Sequence, residues 1–226
     1  MMGGRSYIST HRICRFPNVI LHETIYVASS NAGKLRDFAA AAAVFDVNIA
    51  VLPGVKEIPA PAEDGETFEA NAQLKAEAYS RVRPGLLVLA DDSGLEVDAL
   101  DGAPGVRSAR FADDAGFDVI DSEDADGRNN LYLLEQLHGR SRPWTARYRC
   151  VLALARDGVT LQTESGAVEG EIISEPHGTG GFGYDPLFWL PGLGKTMGEI
   201  DLETKQRLSH RGRALEALLT QMSGHF

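Results

Sequence analysis

The sequence predicts a mixed α/β fold containing at least one antiparallel hairpin, and three observations carry that expectation. Thr24 to Ser29 (TIYVAS) reads as a short strand, and a polar turn leads from it into SNAGKLRDFAAAAAVF, where Leu35, Phe38, Ala39 and Ala42 recur at helical spacing. Leu86 to Ala90 is an apolar run too short for a helix, the pattern of an interior strand. Asp157-Gly158 separates Trp144 to Ala155 from Val159 to Val168, and an Asp-Gly pair between two such runs is a strong hairpin signal. A purely parallel sheet does not accommodate that hairpin.

The remaining elements follow in order. Residues 1–22 read as an N-terminal extension, outside the pattern and without the continuous apolar segment of a signal peptide, and 23–226 as a single domain. Val47 to Leu52 is a second strand, ended by Pro53-Gly54, and residues 56–65 form a Pro-rich acidic loop. TFEANAQLKAEAYSRV is a helix stopped by Pro84-Gly85. After Leu86 to Ala90 the segment DDSG has the composition of a turn, and Leu95, Val97 and Ala99 then alternate with Glu96, Asp98 and Leu100 as in a half-buried strand. Residues 101–127 are irregular, and Asn129 to His138 is a leucine-striped helix closed by Gly139. Gly178 to Gly183 (GTGGFG) is a flexible loop, and a last helix starts at Ser209 and buries Leu215, Leu218, Leu219 and Met222.

Composition bounds the function. With 226 residues, 43% of them hydrophobic, the chain can bury a substantial core in one large domain or two small lobes. A net charge of -10 argues against coating nucleic acid, which needs a basic footprint, though it allows a local basic pocket. Cys14 and Cys150 form no CxxC pair, which suits a reducing compartment, and no run approaches the ~18 apolar residues of a membrane span. The expectation is a cytoplasmic protein that binds neither membrane nor nucleic acid.

Five segments carry candidate chemistry. In SSNAGK (Ser29 to Lys34) backbone N–H groups at a strand-to-helix junction can attract an anion, with Asn31 and Lys34 beside them; a plain N-cap at Ser30 with a solvated lysine accounts for it equally. In EDGETFEANAQLKAEAY, Asn71 and Lys75 lie one helical turn apart, while Glu63, Asp64, Glu66 and Glu69 crowd an entrance where acids favour the helix dipole anyway. Asp91 and Asp92 directly follow an apolar strand and suit a hard cation such as Mg²⁺, or else a capped turn. GTGGFGYDPLFWLPG lets backbone approach a ligand while Phe182 and Tyr184 offer ring faces, or it is a glycine turn feeding a core cluster. In KQRLSHRGRALEALL, His210, Arg211 and Arg213 place positive or potentially positive groups in a helix first turn, against the macrodipole; with Lys205 upstream, an electron-rich or anionic ligand explains them better than solvent.

Taken together, SSNAGKLRD, TFEANAQLKA, LADDSGLEVDAL, GAPGVRSARF, GTGGFGYDPLF and LSHRGRAL resemble, in order and spacing from about Ile25 to Leu219, the blocks of the inosine/xanthosine triphosphate pyrophosphatase family. The resemblance implies a two-lobed α/β fold around a long mixed sheet, a homodimer, Mg²⁺ as cofactor, and hydrolysis of ITP, dITP and XTP to monophosphate and pyrophosphate. It implies a triphosphate-contacting turn at Ser29, Ser30, Asn31, Ala32, Gly33 and Lys34, a phosphate lysine at Lys75, and Asp92 as general base and metal-linked aspartate with Asp91 beside it. Ser93 falls on a substrate contact, Phe182, Gly183, Tyr184 and Asp185 on the base-stacking segment, and Lys205, Ser209, His210 and Arg211 on base recognition. The second metal carboxylate is assigned to Glu63, with Glu69 as a further candidate. Ser29-Ser30 stands where many members have Thr-Gly, and Tyr184 where some carry Trp.

Two other readings stay open on sequence: a broader or modified-pyrimidine nucleotide pyrophosphohydrolase, and a nucleotide sensor without turnover. Adjacent strand side chains point to opposite faces. Asp91 and Asp92 are therefore expected to take separate partners, one toward Mg²⁺ and water, the other toward a lysine or backbone donors.

Overall fold

The computed structural model describes residues 23–43, 45–117 and 124–223. Seven strands form one sheet in the order β2-β1-β3-β4-β5-β6-β7: β1 (Ile25–Val27), β2 (Ile49–Val51), β3 (Leu87–Val97), β4 (Trp144–Arg156), β5 (Val159–Ile172), β6 (Phe188–Leu190) and β7 (Lys195–Thr196). β2, β1 and β3 run parallel, and every pairing from β3 to β7 is antiparallel. The mixed α/β class is thus as expected, and the Asp157-Gly158 turn joins β4 to β5 with both residues at positive φ.

Helices cover both faces. Leu87 and Leu89 of β3, with Leu152 and Leu154 of β4, pack beneath α1 (Ala32–Ala43) and α6 (His210–Ser223). On the opposite face Ala90, Val151, Ala153 and Ala155 meet Phe68, Ala72 and Ala76 of α2 (Phe68–Val82), where small side chains let helix and sheet approach closely. A second core at the far end of the long strands joins Leu95, Val97, Trp144, Ala146 and Val168 to Phe188 and to Leu133 and Leu137 of α4 (Ala125–Leu137). Caps set the helix limits. The Thr67 hydroxyl accepts from Ala70 N at 3.1 Å, the Asp124 carboxylate from Gly127 N, and the Ser209 hydroxyl from Gly212 N at 3.2 Å.

The main correction concerns DDSG. No turn interrupts it: β3 continues from Leu87 to Val97, in unbroken register with β4 from Val88↔Ala155 to Val97↔Ala146. The chain then leaves the sheet through a 3-10 turn, Asp98–Leu100. Asp91 and Asp92 therefore sit in mid-strand. Gly94 permits this, because the 3-10 segment Gly105–Arg110 crosses so closely that a Cβ there would lie 2.4 Å from Ser108 Oγ. Ser108 Oγ in turn accepts from Leu95 N at 2.8 Å.

Smaller differences follow from capping and pairing. α4 begins at Ala125, ahead of Asn129, because Asp124 caps it. β5 extends to Ile172 because β4 pairs with it that far. α3 (Phe111–Asp114) lies within the stretch read as irregular, and β6, β7 and α5 (Leu202–Leu208) are short elements the periodicity does not show. The reading of residues 1–22, with Cys14, lies outside the described residues, and Cys150 is buried and free. Among the described residues no helix is long and apolar enough to cross a membrane.

Candidate active site

Strand alternation gives each aspartate its own face and its own cation. On the α1/α6 face, Lys34 Nζ lies 3.0 Å from Asp91 Oδ1 and 2.9 Å from Oδ2, and Arg211 Nε stands 3.6 Å from Oδ2. Burial pushes the Asp91 carboxyl up, but Lys34 and Arg211 outweigh it and hold it far below the usual carboxylate range. On the α2 face, Lys75 Nζ donates to Asp92 Oδ1 at 2.8 Å and Asn71 Nδ2 to Oδ2 at 3.2 Å. Here burial prevails. It raises the Asp92 carboxyl above the ordinary value against the pull of Lys75, and the nearby Glu63 charge adds to the rise.

Glu63 comes from the acidic loop and reaches the same ammonium, with Lys75 Nζ 3.1 Å from Glu63 Oε2. The loop is held by Asn71, whose Oδ1 accepts from Gly65 N at 2.8 Å while its Nδ2 donates to Gly65 O at 3.2 Å. Asp92 and Glu63 thus converge on one cationic centre. Mg²⁺ is usually held by one or two carboxylates with water and substrate phosphates, and this pair fits that pattern. Among the described residues no three His, Cys, Asp or Glu side chains gather as metal ligands, so the four-carboxylate set of Asp91, Asp92, Glu63 and Glu69 is not assembled. Asp91 is engaged by its own cations, and exposed Glu69 instead accepts from Gln73 Nε2 at 3.4 Å.

The turn before α1 is organised by Asn31, not Ser30. Asn31 Oδ1 accepts from Gly33 N at 2.8 Å and Lys34 N at 3.2 Å, and Ser29 Oγ accepts from Asn31 N at 3.2 Å. Ser30 lines a separate surface cavity with Val51 and Lys56, and Ala32 is exposed at the first position of α1.

A second region lies on the Asp91 face. A cavity of about 140 Å³ is lined by Ser93, Tyr148, Phe182, Tyr184, His210 and Arg211, among others; cavities of roughly 150 Å³ can accept a single aromatic ring. Arg211 spans the two regions. Its Nη2 donates to Ser93 Oγ at 2.9 Å, and it stands 3.7 Å from Asp37 Oδ2 and 5.5 Å from the Phe182 ring centroid. His210 is buried and stacks on Tyr148 at 5.3 Å, with 13° between the planes. Burial and the adjacent Arg211 push its pKa well below 6.5, so the ring is neutral at physiological pH. Phe182 remains 49% exposed, with Lys205 Nζ 5.4 Å above its ring. Lys205 also pairs with Asp185, whose Oδ2 accepts from Phe182 N at 2.9 Å. Tyr184 Oη donates to Ser108 O at 2.8 Å, and Ser209 caps α6.

A profile of the Ham1 family matches residues 25–221. A dITP/XTP pyrophosphatase of Acidobacterium capsulatum is 61% identical over 201 residues, covering 89% of this chain and 98% of the relative, and one of Geobacter sulfurreducens is 45% identical over 197 residues, covering 86% and 94%. The chain belongs to the Ham1 family. Among solved structures, the Staphylococcus aureus Ham1 protein superposes with a TM-score of 0.75 at 35% identity, covering 90% of this chain and 100% of that one. A nucleoside-triphosphatase/dITP/XTP pyrophosphatase of Mycobacterium abscessus gives 0.65 at 38% identity, covering 87% and 98%.

Within this Ham1 chain the structure brings Lys34, Asp91, Ser93 and Arg211 together on one face and Glu63, Lys75 and Asp92 on the other. Four residues at the site escape the sequence reading. Asp37 lies one helical turn beyond Lys34, and that i,i+3 spacing was its available signal. Tyr148 alternates inward along a strand but looks like ordinary core. Asp126 and Asn130 reach the glycine loop from α4, and only the fold shows it.

Proposed function

We propose that this chain is a pyrophosphatase of non-standard purine nucleoside triphosphates, converting ITP, dITP or XTP to the monophosphate and pyrophosphate. The observation that carries the reading is the division of labour at β3. Asp92, on the α2 face, meets Lys75 and Asn71 beside Glu63, while Asp91, on the other face, is locked by Lys34 and Arg211 beside an aromatic pocket. The names of the relatives support the same chemistry.

In this reading Asp92 accepts the proton of a water attacking the α-phosphorus; the bridging P–O bond between the α- and β-phosphates breaks, and pyrophosphate leaves. Lys75, already held at 2.8 Å from Asp92, and Lys34 stabilise charge on the phosphates. Asp92 and Glu63 would hold Mg²⁺, which when bound neutralises phosphate charge and orients water. Phe182 and Tyr184 form the aromatic side of the base site.

Selectivity rests on the 6-oxo edge. Hypoxanthine and xanthine present an acceptor at O6 and a protonated N1, whereas adenine presents an amino donor and a bare N1. Arg211 and Lys205 are obligate donors, so O6 can accept from them whereas the adenine amino group turns a donor toward donors; rejection of a base whose edge cannot pair can reach ~10⁴-fold. GTP shares the 6-oxo edge, so its exclusion has to act through the 2-amino group.

Pyrophosphate release measured with ITP, XTP, GTP and ATP in the presence of Mg²⁺ tests the proposal. Faster turnover of ITP and XTP than of ATP is expected. Equal rates on ATP and ITP would overturn the specificity, and tight ITP binding without release would identify a sensor.

A further inference from the structure

The glycine loop that carries Phe182 is largely exposed; Gly180 N donates to Gly198 O at 2.9 Å and Phe182 N to Asp185 Oδ2 at 2.9 Å. Gly178, Gly181 and Gly183 all hold positive φ, at 77°, 83° and 62°, and Phe182 leaves 49% of its surface exposed. Such a segment has wide backbone freedom, and ordering it only when a ligand arrives would weaken binding. On its C-terminal side it is tied by Tyr184 Oη to Ser108 O. At the loop's last residue both backbone polar groups of Gly183 are taken by side chains of α4: Gly183 N donates to Asp126 Oδ2 at 2.6 Å, and Asn130 Nδ2 donates to Gly183 O at 3.0 Å. The two residues are four apart, one helical turn, and so lie on one face of α4. Asn130 keeps this bond although its own Oδ1 is buried without a partner, which carries a desolvation cost.

We propose that Asp126 and Asn130 are positioning residues that clamp Gly183 and thereby hold the Phe182 ring in place for a purine base before the nucleotide arrives. The inference rests on the nucleotide reading above, and assigns to α4 a role in base affinity that is separate from the phosphate chemistry at Asp92. A carboxylate accepting from one peptide N–H and an amide donating to the adjoining carbonyl leave the residue between two aromatics little room to rotate.

The test compares Asp126→Ala, Asp126→Asn, Asn130→Ala and Asn130→Asp in the full chain. It measures steady-state kinetics with ITP, inhibition by pyrophosphate, and thermal melting. Losing one such hydrogen bond should raise KM for ITP by about three- to tenfold in both alanine variants, with kcat within about twofold. Inhibition by pyrophosphate, which carries no base, should not change. Asp126→Asn keeps an acceptor for Gly183 N and should restore a near-normal KM, whereas Asn130→Asp turns a carboxylate toward a carbonyl oxygen and should be worse than Asn130→Ala.

Unchanged KM in both alanine variants overturns the clamp. So does a shift in pyrophosphate inhibition matching the shift in KM, or an Asp126→Asn no better than Asp126→Ala. Calorimetric titration of IMP separates the two levels of argument. A wild-type chain that binds IMP without turning over ITP overturns the hydrolase reading, and the clamp then stands or falls on the IMP affinity of the variants. A wild-type chain that binds neither overturns both.

Discussion

Asp91 and Asp92 are consecutive in the chain yet contact different cations: Asp91 meets Lys34 and Arg211 on one face of β3, and Asp92 meets Lys75 on the other. At ~4 Å and an effective dielectric of ~20, two carboxylates would repel by ~4 kcal/mol. The strand avoids that contact by alternation alone, and the helices on the two faces supply opposite electrostatic surroundings. One aspartate is thereby fixed as an anion and the other is left easier to protonate.

The two positions should respond oppositely to the same change. Asp92→Asn removes the proposed base while keeping the side-chain shape, so turnover of ITP is expected to fall by about 10²–10⁴-fold with cooperative unfolding retained. Asp91→Asn leaves Lys34 and buried Arg211 short of a counter-charge, and breaking a buried pair of this kind costs about 3–5 kcal/mol. Pyrophosphate release and urea unfolding on both variants check the contrast. An Asp92→Asn enzyme with wild-type turnover would remove Asp92 from the mechanism.

His210 should make the fold sensitive to mild acid. Its folded pKa is depressed by burial and by Arg211, so below the ordinary value of about 6.5 the unfolded chain binds a proton that the folded chain refuses. Stability therefore falls as pH drops below about 6.5 toward the folded pKa. Asp91, also depressed, adds a separate loss only once pH falls below about 3.9, and the raised Asp92 acts with opposite sign. Between pH 7.5 and 5.5 the wild type should lose stability, and His210→Gln should lose less. Parallel losses in the two proteins would show that His210 is not the group responsible.

Gly94 couples the strand to the aromatic pocket. A Cβ there would meet Ser108 Oγ at 2.4 Å and Gly105 O at 2.5 Å, and the latter is backbone that cannot rotate away. Ser108 also accepts from Tyr184 Oη through its carbonyl. Gly94→Ala should therefore destabilise by about 1–3 kcal/mol and raise KM for ITP by displacing Tyr184. Melting and kinetics measured together decide it; a variant with a normal melt and a normal KM would show that the crossing segment yields freely.

The sequence reveals the ladder of the fold better than its interruptions. The apolar run at Leu86 to Ala90 and the Asp157-Gly158 turn are strong local signals, and both elements form. DDSG has turn composition, and pairing with β4 overrides it, since the ladder through Asp91↔Leu152 and Asp92↔Val151 satisfies the backbone on that side. The opposite orientation of the two aspartates follows from strand geometry and was legible; their partners were not, because Lys34, Lys75 and Arg211 arrive from three different helices. Asp126 and Asn130 were hidden for the same reason. Their spacing marks one face of α4, but nothing in it says that Gly183 lies opposite.

Lys75 already occupies the place between Asp92 and Glu63 where a cation is needed, at 2.8 and 3.1 Å from their oxygens. The charge of the two carboxylates is thus partly offset in the folded chain whether or not a divalent ion is present. Chelation of Mg²⁺ should therefore abolish turnover while leaving the melting temperature of the wild type nearly unchanged. Lys75→Ala removes the resident charge and leaves the repulsion between Glu63 and Asp92 without its offset. In that variant added Mg²⁺ should raise the melting temperature, by an amount set by RT ln(1 + [Mg²⁺]/Kd), which reaches about 2.7 kcal/mol at a hundredfold excess over Kd. Ca²⁺ and a matched concentration of Na⁺ separate site binding from general screening. A wild type stabilised by Mg²⁺ as strongly as the variant would show that the ion binds elsewhere, and a Lys75→Ala variant indifferent to Mg²⁺ would remove Glu63 and Asp92 as its ligands.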